Sequence, residues 1–89
     1  MTHAGRDEAM LVVFYGGSPQ ERREADGLAR AAGWRVRLAS RPAELAKATA
    51  DGFARVCVLD AQLTVPAAHV TRTPGETVSH FVSRALAGA

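Results

Sequence analysis

Residues 10–21, MLVVFYGGSPQE, join an apolar run directly to a helix-start signal, and that junction sets the fold class. Met10 to Tyr15 is continuous, β-branched and aromatic, the composition of a strand covered on both faces and therefore central in its sheet. Gly16-Gly17 ends the strand. Ser18 then reads as an N-cap, Pro19 as the first helical residue and Glu21, three residues beyond Ser18, as the closing member of a capping box. Downstream, Glu21, Ala25, Leu28, Ala29 and Ala32 share one face at helical spacing, Arg23, Asp26, Gly27 and Arg30 share the other, and Gly33 supplies a stop.

Beyond that helix the pattern switches to strict alternation. Trp34, Val36 and Leu38 fall on one face and Arg35 and Arg37 on the other, as in a strand covered on one side only. Ser40-Arg41-Pro42 opens a short helix to about Ala50, with Leu45, Ala48 and Thr49 inward, Glu44, Lys47 and Asp51 outward, and Gly52 at its end. Phe53 to Leu59 is a second apolar strand, closed by Asp60. In the long connection that follows, His69 to Arg72 is a candidate short fourth strand, with Pro66 limiting its length. Thr73-Pro74-Gly75-Glu76 repeats the capping-box grammar and opens a last helix, whose inward stripe is Val78, Phe81, Val82, Ala85 and Leu86, with Gly88 just past its end.

Alternating strands and helices imply parallel strands joined by right-handed crossovers. With the first and third strands central and the arginine-bearing second strand at an edge, the expected order is 2-1-3, or 2-1-3-4 if the fourth strand forms. This is an α/β fold, a small three-layer sandwich of truncated flavodoxin-like or Rossmann-like form. So few strands leave long free edges, which leads to an expectation of self-association, a homodimer in the simplest case.

A length of 89 residues suits a single domain, placed at residues 10–89 after a loose tail over residues 1–9. With 47% hydrophobic and 22% charged residues the composition is that of a globular protein, and no apolar run approaches the roughly 18 residues of a membrane span. The start, MTHAGRDEA, carries both charge signs and does not resemble a secretory signal, so a cytoplasmic location and no membrane partner are expected. The net charge is only +2, Lys47 is the only lysine, and the arginines are interspersed with acids, a pattern that does not support nucleic-acid binding. Cys57, the single cysteine, lies in an apolar strand and reads as a small core residue.

In parallel α/β sheets ligands bind beyond the carboxyl ends of the strands, where neighbouring connections diverge to opposite faces. That rim receives Tyr15, Gly16, Gly17 and Ser18, then Ser40 and Arg41, then Asp60, then Arg72, and these are the candidate ligand-binding residues. The paired glycines allow close backbone approach, and free amides at the start of the first helix favour an anion. The segment is neither a Walker loop nor a full dinucleotide fingerprint. Asp60 is a candidate base or hydroxyl-binding group as well as a strand-ending cap, and no second carboxylate completes a metal pair. No metal or cofactor is therefore assigned. Arg35 and Arg37 read as solubilising edge charges, or as an anion patch beside Arg41. His80, four residues after Glu76, forms an outward pair with it, and His69, in the long connection, reads as a surface-loop residue ahead of one that reaches the rim.

The segment VVFYGGSPQERREADGLARAAGWRV resembles the start of nucleoside 2-deoxyribosyltransferase-like proteins, and VCVLD and TPGETVSHFVSRALA are similar in layout to that family's third strand and its glycine-containing helix with a carboxylate. The resemblance implies that Tyr15, Gly17 and Asp60 contact a nucleoside or nucleotide and that Glu76, with Asp60, is a candidate catalytic residue, Glu76 as the nucleophile. In this chain Glu76 directly follows Gly75 and also fits the capping box. VCVLD further resembles the phosphoacceptor strand of receiver domains, but Phe14-Tyr15-Gly16 stands where those carry an acidic pair, and their late lysine is missing. Lacking a complete catalytic set, the sequence leads to a non-catalytic α/β protein that binds a partner or a small anionic ligand at the rim. The alternative is a minimal enzyme that processes nucleoside or nucleotide N-glycosidic bonds, and a third reading is an accessory subunit whose exposed sheet edge joins a different chain.

Overall fold

The computed structural model describes residues 11–50 and 54–87. The expected tail over residues 1–9, Met10 of the first strand, the Asp51-Gly52-Phe53 junction and Gly88 lie outside the described residues. The elements are β1 (Leu11–Tyr15), α1 (Pro19–Ala31), β2 (Arg35–Ala39), α2 (Pro42–Ala48), β3 (Arg55–Val58), β4 (Val70–Thr71) and α3 (Val78–Ala87). The four strands are parallel in the order β2-β1-β3-β4, so the candidate fourth strand forms, shortened to Val70–Thr71.

The apolar run of β1 is buried along its whole length because both its faces are covered. On one face Val12 and Phe14 meet Ala25 and Ala29 of α1 and Val78, Phe81, Val82 and Ala85 of α3. On the other, Leu11, Val13 and Tyr15 meet Ala39, Ala48 of α2 and Val58, with Val65 and Ala68 of the β3–β4 connection beside them. The step from β1 to β2 thus uses one face, whereas those from β2 to β3 and from β3 to β4, made in the opposite direction, use the other. A single crossover hand requires this arrangement.

The first helix begins as its sequence dictates: Ser18 Oγ accepts from Glu21 N–H at 3.1 Å and Glu21 Oε1 accepts from Ser18 N–H at 2.9 Å. The last helix does not. Thr73-Pro74-Gly75-Glu76 forms a turn closed by Glu76 N–H donating to Thr73 O at 3.1 Å, with Gly75 at φ +83°, a type II arrangement in which proline sets the second position and glycine the third. Helix α3 starts at Val78, with Thr77 Oγ1 accepting from His80 N–H at 3.1 Å. The positive φ of Gly75 is incompatible with a helical turn, so the second capping-box signal marks a turn one step before the helix.

Leu38, expected inward beside Trp34 and Val36, is 42% exposed. It pairs with Phe14 near the end of β2 and shares its face, but β2 is an edge strand. On the opposite face Arg37 Nη1 donates to Ala48 O at 3.2 Å and so caps the end of α2.

Candidate functional site

The carboxyl end of β1 is bonded to both neighbours, Gly16 N–H to Ala39 O at 3.1 Å and Leu59 N–H to Tyr15 O at 2.9 Å. The diglycine bend and Asp60 therefore meet on one rim, at the point where the connections leaving β1 and β3 take opposite faces. A cleft of about 390 Å³ opens there, lined by Gly17, Ser18 and Glu21 of the first turn, Leu59 to Gln62 after β3, and Arg72 to Gly75 after β4. That volume is within the range of small-molecule sites, about 300–1,000 Å³.

Of the residues selected from sequence, Gly17, Ser18, Asp60 and Arg72 line the cleft. Gly16 borders it, since a Cβ on Gly16 would lie 3.3 Å from Asp60 Cβ. Tyr15 is buried in the opposite layer with Ala39 and Ala48. Ser40 and Arg41 form the start of α2, where Glu44 Oε1 accepts from both their amides and from Ser40 Oγ. Those bonds, that from the Ser40 amide foremost, lower the Glu44 carboxyl below its usual range.

Both glycines are left-handed, Gly16 at φ +83° and Gly17 at φ +71°, a conformation that costs other residues about 1–2 kcal/mol. Gly17 is the more constrained, because a Cβ there would meet Glu21 Oε1 at 2.9 Å and Leu59 Cβ at 3.0 Å. Arg22 Nη1 fixes the bend by donating to Gly16 O at 3.1 Å and Gly17 O at 2.7 Å. Gly17→Ala is accordingly expected to lower stability by about 2 kcal/mol, the conformational cost plus the crowding. Gly16→Ala should cost less, a ranking that urea denaturation of the two variants checks.

Glu21, whose place in the sequence reads simply as a helix cap, is central to the cleft. Its Oε2 accepts from Arg72 Nη1 at 2.8 Å, while its Oε1 holds the Ser18 amide. The Arg72 guanidinium, and after it the Ser18 amide, lower the Glu21 carboxyl below its usual range. Arg72 also donates from Nε to Glu76 O at 2.8 Å, and its side chain is 18% exposed. Asp60 uses Oδ1 to accept from Gln62 N–H at 2.9 Å, the bond of an Asx turn.

Glu76 stands just behind the cleft wall, its side chain only 4% exposed. Arg84 grips it from two nitrogens, Nε to Oε2 at 2.9 Å and Nη2 to Oε1 at 2.8 Å. Thr73 donates its amide and hydroxyl to Oε1 at 3.0 and 3.1 Å, and His80 Nδ1 lies 2.6 Å from Oε2. Arg84 first, and then the Thr73 amide, hold this carboxyl far below its usual range. The Glu76–His80 pair is thus exposed only on its histidine side, at 71%. Nothing in a spacing of four residues could have shown that Arg84, a further turn along, would bury the acid.

The remaining candidates lie away from the cleft. His69 Nδ1 accepts from Val56 N–H at 2.9 Å while its own amide donates to Val56 O at 2.8 Å, which extends the β3–β4 pairing. Cys57 is fully buried, and burial pushes its thiol up to about 12, so it carries no thiolate at neutral pH. Among the described residues no group of acids, histidines and cysteine has the arrangement of a metal site, and no helix is long and apolar enough to cross a membrane.

The fold is therefore a four-stranded parallel α/β sheet with a polar cleft at its switch point. Searches of protein-family models, curated proteins and solved structures each return no match to the chain.

Proposed function

We propose that this protein is a non-catalytic binding module that takes a small anionic ligand in the cleft between the β1 and β3 rims. The carrying observation is the position of Glu21: its carboxylate joins the Ser18 amide to the Arg72 guanidinium inside the cleft, the place and the donors an external anion would use. A ligand carboxylate or phosphate enters by replacing Glu21 on Arg72, and Glu21 sets its affinity by competing for the same donors. The binding reading is preferred to N-glycosidic chemistry because a nucleophilic carboxylate needs an accessible oxygen, whereas both Glu76 oxygens are engaged by Arg84.

Thermal-shift measurements with inorganic phosphate, nucleoside monophosphates and small dicarboxylates test the reading. Glu21→Gln removes the internal competitor while keeping a cap acceptor, so at least one of these anions should stabilise it more than wild type. At a hundredfold excess over the dissociation constant the gain is about 2.7 kcal/mol, or on the order of 10 °C. Arg72→Gln should abolish the shift. Equal responses of wild type and Glu21→Gln to every anion would reject the proposal. Incubation with deoxynucleosides should release no free base, and release that Glu76→Gln eliminates would establish the enzymatic alternative.

A further inference from the structure

The two edges of the sheet are finished differently. At one side β4 is two residues long, and its Thr71 carbonyl receives Arg84 Nη2 at 2.9 Å, so that edge is short and partly closed. At the other side β2 runs for five residues. In a parallel strand the N–H and C=O of one residue point the same way, and successive residues alternate. Ala39 O accepts from Gly16 N–H, which turns Arg35, Arg37 and Ala39 toward β1 and turns the backbone groups of Val36 and Leu38 outward. Among the described residues no hydrogen-bond partner covers these outward groups.

The side chains around this edge have a strong sign. Arg35 and Arg37 stand on the α2 side of β2, and a groove of about 510 Å³ runs beside them, lined by Arg37, Leu38, Glu44, Lys47 and Ala48. Arg41 is exposed at the start of α2. Among the described residues the one carboxylate in the group, Glu44, is turned onto the amides of Ser40 and Arg41. Four cations therefore flank a strand edge whose outward hydrogen-bonding positions have no partner among the described residues. A second copy pairing through β2 would set arginines against arginines, a juxtaposition that destabilises strand pairs.

We propose that the free edge of β2 is a docking site for an extended acidic peptide segment, which adds to the sheet as a fifth strand. Main-chain bonds to Val36 and Leu38 supply the pairing, and acidic side chains on the α2 side meet Arg35, Arg37 and Lys47. The surface is separate from the rim cleft, so either site stands if the other fails.

Fluorescence anisotropy of labelled peptides that alternate valine with glutamate, or valine with lysine, at low ionic strength reads this out. The glutamate peptide should bind wild type about tenfold or more tighter than the lysine peptide, with an affinity that falls as salt is raised. The double variant Arg35→Glu/Lys47→Glu, altered only at exposed side chains, should reverse that preference. Leu38→Pro removes an outward N–H without touching the bonds to β1 and should weaken both peptides, with the circular dichroism spectrum confirming its fold. If that variant does not fold, the charge reversal alone decides. Equal affinity for the two peptides, no saturable binding, or a preference unchanged by the charge reversal would overturn the proposal. A wild-type dimer in sedimentation that Leu38→Pro dissociates would also overturn it, by placing a second copy on the edge.

Discussion

Phe81→Ala is expected to lower the stability of this protein by about 3–5 kcal/mol, the usual cost of emptying a buried phenylalanine site. Phe81 has no exposed surface and belongs to the cluster that joins α3 and α1 to Val12 and Phe14 of the central strand. Chains of this length have a total stability of only about 4–13 kcal/mol, so the loss is a large fraction of the whole. The cavity cannot close easily, because its walls come from two helices and a strand that are each held by other contacts. Urea denaturation should show a lower midpoint with an unchanged slope, and a loss below about 1 kcal/mol would mean that α3 is not bound to the sheet as described.

Glu76→Ala has the next largest expected effect, and it measures the structural role of this carboxylate. The substitution removes the acceptor for Arg84, for the Thr73 amide and for the Thr73 hydroxyl, and so unties the turn before α3 from the helix itself. Hydrogen bonds to charged groups contribute about 1.5–3 kcal/mol each, but Arg84 is partly exposed and regains water when released. A net loss of about 2–3 kcal/mol follows, which lowers the thermal midpoint of a domain this size by about 10–20 °C.

The pH dependence carries the same information with a definite sign. Glu76 is held below its ordinary 4.5 in the folded state, chiefly by Arg84, so its contribution is fully present above that value. It is lost as the pH falls below 4.5, where the unfolded chain takes up the proton first. Glu21 and Glu44 are lowered too and act in the same direction. Wild type should therefore lose stability steadily below about pH 4.5, and Glu76→Gln should have a shallower acid limb. Superimposable limbs would mean that Glu76 is not engaged in solution as it is here.

The strand order was legible because β1 is apolar along its full length while β2 carries an arginine at alternate positions, and only a central and an edge place satisfy those two patterns. The start of α1 was legible for a similar reason, since Ser18, Pro19 and Glu21 satisfy each other locally. The start of α3 was not: Thr73-Pro74-Gly75-Glu76 suits a capping box and a type II turn equally, and the choice depends on where Arg84 and Arg72 take the Glu76 carboxylate and carbonyl. Four of the rim residues chosen from sequence line the cleft because strand-end positions follow from topology. Tyr15 faces the other layer, since side chains alternate along β1 and Phe14 already takes the α1–α3 face.

By itself the amino-acid sequence determined whatever depends on neighbours along the chain: apolar periodicity, the first helix cap, the glycine bend and, through their alternation, a parallel sheet with its rim. Only the tertiary structure decided which charges meet. Glu21 and Arg72 are distant in sequence yet share one hydrogen bond across the cleft, and Arg84 reaches back over two turns of backbone to bury Glu76. Local patterns reflect backbone geometry, which repeats over a few residues. Ion pairs depend on where long, flexible side chains converge after the layers have packed, and no short-range period encodes that convergence.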